Sequence, residues 1–196
     1  MLDKSWKTAN QWEKDWWNSC VNTWQEESKQ IEYFKRMGLP LENRNGQYPV
    51  IDFKGKSVID IGGGPVSGLL KGINMKNPVV VDPLDMPQWC KDRYEIAGIK
   101  FEQDKAETYC KGHYDIGLIY NCLQHTENPK KIIENMKKMC DVIYIHEWLD
   151  TPISDGHIQS ITEAKLNEWL DAKVMVGQER WSDTVVTPYA FGMFLC

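Results

Sequence analysis

Apolar residues recur along the chain in two rhythms, and the change falls near residue 56. Before it, Trp12, Trp16 and Cys20 stand four apart, and Val21, Trp24, Ser28 and Ile31 follow a three-and-four spacing. Residues 5–38 are therefore predicted as two amphipathic helices. Thr8-x-x-Gln11 and Thr23-x-x-Glu26 have the form of capping boxes. Gly38-Leu39-Pro40 is a stop signal for the second helix, and residues 41–55, with Asn45-Gly46 and Gly55, read as a connecting loop. Beyond 56, short apolar runs alternate with helical stretches. Strands are predicted at 58–61, 79–81, 99–101, 116–120 and 142–145. Helices are predicted near 66–75, over 86–97, from Asn128-Pro129 to 139, and over 162–171. Residues 174–181 and 190–195 form a closing pair of strands joined through a loop with Pro188. Such alternation builds parallel βαβ units. The expected fold is α/β, a Rossmann-like doubly wound sheet of seven strands. The sheet is mostly parallel, with an antiparallel C-terminal hairpin. Residues 1–50 are expected to form a helical cap and linker, and 51–196 the α/β domain.

Composition narrows the classes. The 196 residues suit one globular domain, and 42% hydrophobic with 26% charged residues argues against disorder. Apolar runs are only a few residues long, so no membrane span is expected, and the first residues lack the pattern of a secretory signal. The six cysteines are scattered without a Cys-x-x-Cys pair. That reads as reduced thiols in a cytoplasm rather than a disulfide framework or a zinc site, and no metal is expected. A net charge of −5 disfavours duplex nucleic acid, whose affinity comes mainly from Lys and Arg. The lysines of 130–138 flank Ile132, Ile133 and Met136 as the solvated face of a helix. Five of nine tryptophans fall in the first 24 residues, which gives the N-terminal helices a task of their own. One reading is a lid over a binding pocket, in which Trp12, Trp16 and Trp17 touch substrate; the other is packing on a sheet edge.

The sharpest local feature is Asp60-Ile61-Gly62-Gly63-Gly64-Pro65, directly after the first predicted strand of the α/β part. Glycines there permit a tight turn and close approach of a ligand to the backbone. Asp82 ends the next strand, where a carboxylate can accept hydrogen bonds from both hydroxyls of a ribose. The third place of the dinucleotide pattern Gly-x-Gly-x-x-Gly is Ser67, and no Walker lysine follows. An acid at position 60 would repel phosphate but suits a cationic amino-acid moiety, which points to S-adenosylmethionine.

This pattern resembles class I S-adenosylmethionine-dependent methyltransferases over about residues 56–196. The run Tyr114 to Thr126 looks like the fourth-strand motif of their small-molecule branch, and 146–166, with Glu147-Trp148 and Gly156-His157, like its fifth-strand loop. The whole, with its tryptophan-rich start, is similar to small methyltransferases of phages and bacteria. Two departures stand out: Val66 replaces the usual glycine, and a common Gly-Gly before the fifth strand is missing. The resemblance implies that Asp60 and the backbone of Gly62, Gly63 and Gly64 hold the methionine part, Asp82 the ribose, and Pro83 and Leu84 the adenine face. Either Asp104 or the Ala106-Glu107 pair meets the adenine edge, and the Asn121 carbonyl meets the amino group. It implies transfer of a methyl group to O or N of a small acceptor, such as a sugar or a nucleotide-linked metabolite.

Methyl transfer is an in-line displacement that chiefly needs alignment and exclusion of water; a hydroxyl acceptor also needs its proton removed. The candidate groups are His125 after the fourth strand, and His146 and Glu147 after the fifth. By strand alternation only one of the latter two points to a given face. His157, in a polar loop, is a candidate acceptor contact. The rivals are a nucleic-acid methyltransferase and a non-catalytic nucleotide-binding protein that keeps the fold. Against the first stands Asn121-Cys122-Leu123-Gln124, which lacks the prolines and aromatic of a base-flipping motif.

Overall fold

The computed structural model describes residues 6–44 and 48–196, so the start of the chain and Asn45-Gly46 lie outside the described residues. Two helices open it, α1 (Trp6–Trp17) and α2 (Cys20–Met37). Neither expected capping box is used. Both threonines lie inside helices that begin earlier, and the Thr23 hydroxyl donates to the carbonyls of Ser19 at 3.1 Å and Trp17 at 3.3 Å. The expected loop after α2 is instead an antiparallel hairpin, β1 (Leu41–Arg44) with β2 (Tyr48–Asp52), joined in parallel by the short β4 (Gly72–Ile73). Polar residues obscure these strands in the sequence, yet Ile51 and Phe53 are buried in the core.

The main sheet contains β3 (Ser57–Ile61), β5 (Lys76–Asp82), β6 (Lys100–Gln103), β7 (Tyr114–Tyr120), β8 (Cys140–Trp148), β9 (Met175–Arg180) and β10 (Val186–Leu195). Its order is β6-β5-β3-β7-β8-β10-β9, with β10 antiparallel to both neighbours and the remaining pairs parallel. Successive strands run outward in one direction from β3 and in the other from β7. The carboxyl ends of those two strands therefore flank a topological switch point, where ligands of such sheets bind. β10 begins four residues earlier than expected and includes Pro188. The proline is tolerated because β8 ends opposite Tyr189, leaving Pro188 paired with β9 alone.

Strand alternation separates two cores. Val58, Val80, Leu118, Tyr120 and Trp148 face Tyr33, Phe34 and Met37 of α2 and Tyr94 of α3 (Gln88–Ile96). Ile59, Ile61, Val79, Val81, Ile119 and Ile145 face α4 (Pro129–Met139) and α5 (Glu163–Leu170). The helix expected near 66–75 does not form. Two 3-10 turns, Gly64–Val66 and Gly68–Lys71, take its place. The reason is packing by α2: a Cβ at Gly68 would lie 1.7 Å from Phe34 Cζ, and Gln30 of α2 donates to the Val66 carbonyl. The second helix of the expected cap packs on the sheet through Tyr33, Phe34 and Met37, and α1 lies over the switch point. Among the described residues, no helix is long and apolar enough to cross a membrane.

Candidate active site

The glycine turn leaves β3 with Gly62 at φ +71° and Gly64 at φ +58°, both in the region that favours glycine. A Cβ at Gly62 would lie 2.2 Å from Cys122 Sγ, so the close approach of the β3 and β7 ends also requires it. The turn is braced from below. Asp60 Oδ2 accepts from Ser67 Oγ at 2.5 Å and from the Tyr120 hydroxyl at 2.6 Å. The Tyr120 oxygen accepts from Gly68 N, and the Tyr94 hydroxyl donates to the Gly64 carbonyl. Burial outweighs these donors and raises the Asp60 carboxyl to about 6. Asp60 is fully buried and does not line the cavity above the turn, nor does Gly63. Side-chain hydrogen bonds occupy Asp60 Oδ2, which braces the turn, while Oδ1 has no hydrogen-bond partner among the described residues.

Above the turn lies a cavity of about 320 Å³. Its sheet side is formed by Gly62, Gly64, Asp82, Pro83, Leu84, Ala106, Glu107, Asn121, Cys122, Gln124, His125 and Thr126. Its roof is α1, through Trp6, Trp12, Glu13, Trp16 and Trp17, continued by Glu26, Lys29 and Tyr33 of α2. Trp12 and Trp16 stack at 5.2 Å, the Trp17 ring lies over Gly64, and the Trp12 ring covers Gly156. Trp148 and Trp181, with ring centroids 5.5 Å apart, also line it. Asp82 Oδ1 accepts from Leu84 N at 2.9 Å and Oδ2 from Gly64 N at 3.1 Å. Its carboxyl is raised to about 7 because burial outweighs the two backbone donors. A carboxylate offers roughly four acceptor directions, so each oxygen keeps one for a ligand.

The two alternatives after β6 separate in space. Ala106 and Glu107 line the cavity, whereas Asp104 stands outside it, accepting from Lys105 N at 2.8 Å and Lys111 Nζ at 3.2 Å. Asn121 ends β7 in a left-handed conformation, φ +50°, with its N–H on the His146 carbonyl.

The imidazoles divide as well. His146 is not a base or an acceptor contact. Strand alternation turns it to the α2 face, where it is buried between the rings of Tyr33 at 4.4 Å and Tyr189 at 5.1 Å. Burial, then the Arg36 guanidinium, lowers it to about 3. Glu147 faces the opposite side and is also absent from the lining. It accepts from Cys122 N at 2.9 Å and Leu123 N at 3.0 Å, and so holds the 122–125 segment in place. Burial raises it to about 7. His125 and His157 do line the cavity, 4.9 Å apart edge to face.

Sequence reasoning missed Glu13. Its Oε1 lies 2.9 Å from His125 Nδ1, and its Oε2 accepts from Trp17 Nε1 at 3.0 Å. The Gly156 carbonyl accepts from the same Nδ1 at 2.7 Å. Burial alone would lower His125, but the Glu13 carboxylate more than offsets it and the imidazole rises to about 9. His157, which faces the same group, is lowered to about 4 by burial and by the charge on His125. The cap is thus tied to the sheet by an ion pair. A group whose folded pKa is raised contributes stability fully present below its ordinary value and lost as pH rises through the folded one. Amide exchange in α1, corrected for intrinsic rates, is therefore expected to accelerate between pH 7 and 10 relative to α4. Glu13→Gln should remove that difference, and a flat profile in the parent protein would show that the ion pair does not hold the cap.

No family model matches the sequence, and no curated protein matches it. Solved structures do. The plantazolicin methyltransferase BpumL, in complex with a monoazolic desmethylPZN analog and SAH, aligns over 95% of each chain at 12% identity with a TM-score of 0.52. The N-methyltransferase NodS from Bradyrhizobium japonicum, in complex with S-adenosyl-L-homocysteine, aligns over 71% of this chain and 76% of its own at 15% identity and 0.52. The YcgJ protein from Bacillus subtilis aligns at 14% identity and 0.52 over 64% of each chain, a little under two thirds of its length. The chain has the class I S-adenosylmethionine-dependent methyltransferase fold.

Proposed function

We propose that the protein is an S-adenosylmethionine-dependent methyltransferase acting on O or N of a small acceptor. One observation carries this reading: the cavity joins a glycine turn and a strand-end acid on the sheet to a roof of indoles. The residues present suit the cofactor. Gly62 and Gly64 present backbone to the cavity, and Asp82 keeps acceptor capacity for ribose hydroxyls. Lys29, the lysine of the lining, is paired with Glu26 at 2.6 Å, which leaves it poorly placed for the phosphates of a dinucleotide. Ala106, Glu107, Pro83 and Leu84 supply a pocket for adenine beside Asp82.

When bound, the cofactor supplies an electrophilic methyl group on a sulfonium. The chain's own work is alignment and exclusion of water. Indoles from α1 close the roof, while the segment held by Glu147 forms the floor below. An amine acceptor needs no enzyme base in its neutral form. For a hydroxyl acceptor His125 is the candidate base; it accepts a proton at Nε2 only from its neutral form, with Nδ1–H kept on Glu13 and the Gly156 carbonyl.

The reading is tested by incubating the protein with methyl-labelled S-adenosylmethionine and fractionated small-molecule extracts. Label transfer with formation of S-adenosylhomocysteine is expected; a folded protein that transfers nothing to any fraction counts against enzymatic activity. The roof has its own test. Trp12→Phe, Trp16→Phe and Trp17→Phe each keep an aromatic ring, and Trp17→Phe also removes the hydrogen bond to Glu13. Trp17→Phe thins the roof over Gly64 and should lower turnover by about tenfold, while stability falls by no more than the roughly 1.5–3 kcal/mol of the lost bond to Glu13. Equal losses of stability and turnover in all three would make the roof structural only.

A further inference from the structure

Two imidazoles line the cavity, and they are not equivalent. His125 is engaged at both ring nitrogens. Its Nδ1 meets Glu13 Oε1 at 2.9 Å and the Gly156 carbonyl at 2.7 Å, and the Gln124 side-chain amide stands 3.3 Å from its Nε2. To act as a base, His125 must give up one of these partners. His157 is half-buried, and no described residue hydrogen-bonds its ring. Its nitrogens are not among the polar atoms that the fold seals off without a partner, so a ligand in the cavity can reach them.

The backbone fixes the His157 ring in place. Ser154 N donates to the His157 carbonyl at 2.9 Å, and His157 N donates to Ser154 Oγ at 3.2 Å. Gly156 is held from both sides: its carbonyl accepts from His125, and a Cβ there would lie 2.5 Å from the Trp12 ring, so glycine lets the roof close on this loop. The two imidazole rings then stand edge to face at 4.9 Å. Charge separates them further. The charged groups that face His157 are His125, from the turn after β7, and Glu13, from α1. Against the pull of burial, Glu13 holds the proton on His125, raised to about 9, while burial and that neighbouring cation lower His157 to about 4. At neutral pH the first ring is a cation, and the second is a neutral imidazole with one bare nitrogen.

Resting on the methyltransferase reading above, we infer that His157, rather than His125, meets the O–H of a hydroxyl acceptor and receives its proton, and that Glu13 is the positioning residue that divides the two roles. An oxygen lone pair takes the methyl carbon, the electron pair of the broken C–S bond stays on sulfur, and the O–H proton passes to the bare nitrogen of His157 and on to water. A weak base suffices for this step. Oxygen that has bonded to the methyl carbon is an oxonium, a far stronger acid than an imidazolium, and it gives up its proton readily.

The test reads the imidazoles directly. Full-length protein labelled with nitrogen-15 histidine is saturated with S-adenosylhomocysteine near pH 7, and its ring nitrogens are followed by NMR, with His157→Phe and His125→Phe spectra identifying the signals. His125 should show two protonated nitrogens and His157 one; in Glu13→Gln, His125 should fall to one. Two probes are then titrated, 4-methylphenol, which donates, and 4-methylanisole, which does not. The phenol should shift the bare nitrogen of His157 more than either nitrogen of His125. It should also bind at least about threefold more tightly than the ether, although the ether is the more apolar of the two. In His157→Phe, which keeps a ring on the loop, that preference should vanish. The inference is overturned if His157 is the charged ring, if the phenol acts on His125 instead, if its preference survives in His157→Phe, or if neither probe binds. S-adenosylhomocysteine is titrated first. Its failure to bind rejects the methyltransferase reading itself, whereas its binding without the expected response of His157 rejects only the role given to that residue.

Discussion

Phe34→Ala is expected to lower the free energy of unfolding by about 3–5 kcal/mol, the range for removing a large buried aromatic. Phe34 is fully buried, its ring meets Tyr120 edge-on at 5.3 Å, and it fills the space over Gly68 that a Cβ would otherwise enter. Few neighbours can relax into the void, because α2 is fixed there by Tyr33 and Met37 on one side and the two 3-10 turns on the other. The effect should reach the site. Tyr120 holds both Asp60 and Gly68 N, so a loosened Tyr120 loosens the brace beneath the glycine turn. Urea denaturation gives the stability and calorimetry the cofactor affinity. A loss under about 1 kcal/mol would mean that α2 is not a true layer of the fold.

Asp82→Ala should weaken S-adenosylmethionine binding by at least about a hundredfold, since two charge-assisted hydrogen bonds to ribose, each worth roughly 1.5–3 kcal/mol, are removed. The same change leaves Gly64 N and Leu84 N without their acceptor, so Asp82→Asn, which keeps one oxygen, is measured beside it. The hydroxyls favour the ionised carboxyl, which burial raises to about 7. Affinity in the parent protein should therefore fall as pH drops through 7, and Asp82→Asn should be flat over that range. The sign for folding is opposite. Asp82 holds its proton more tightly in the folded chain, so its contribution to stability is present below the ordinary carboxylate range and lost as pH rises through about 7. Unchanged affinity in a folded Asp82→Ala protein would remove the ribose from this position.

How much of this was legible depended on whether the signal was local. Strands such as 79–81, a continuous apolar run, and 58–61, apolar but for Asp60, are buried on both faces, and the sequence carries them openly. The glycine turn and Asp82 announce themselves through spacing alone. The helix after the turn was misread because its absence is caused by Phe34, more than thirty positions away, pressing on Gly68. The β1–β2 hairpin was hidden by Glu42 and Asn43, whose polarity breaks the alternation. Among the site residues, alternation foretold that His146 and Glu147 part to opposite faces, but not that neither reaches the cavity. Glu13 left no local trace. It is one acid among many on an exposed-looking helix, and its partner His125 is 112 positions away.

The central claim is that the cavity between the glycine turn and the indole roof holds S-adenosylmethionine. Calorimetric titration of the intact chain with S-adenosylhomocysteine, and separately with NAD, tests it most directly. The account expects one-to-one binding of S-adenosylhomocysteine, weakened at least about a hundredfold in Asp82→Ala, and no measurable heat with NAD. Binding of NAD with no signal from S-adenosylhomocysteine would contradict it.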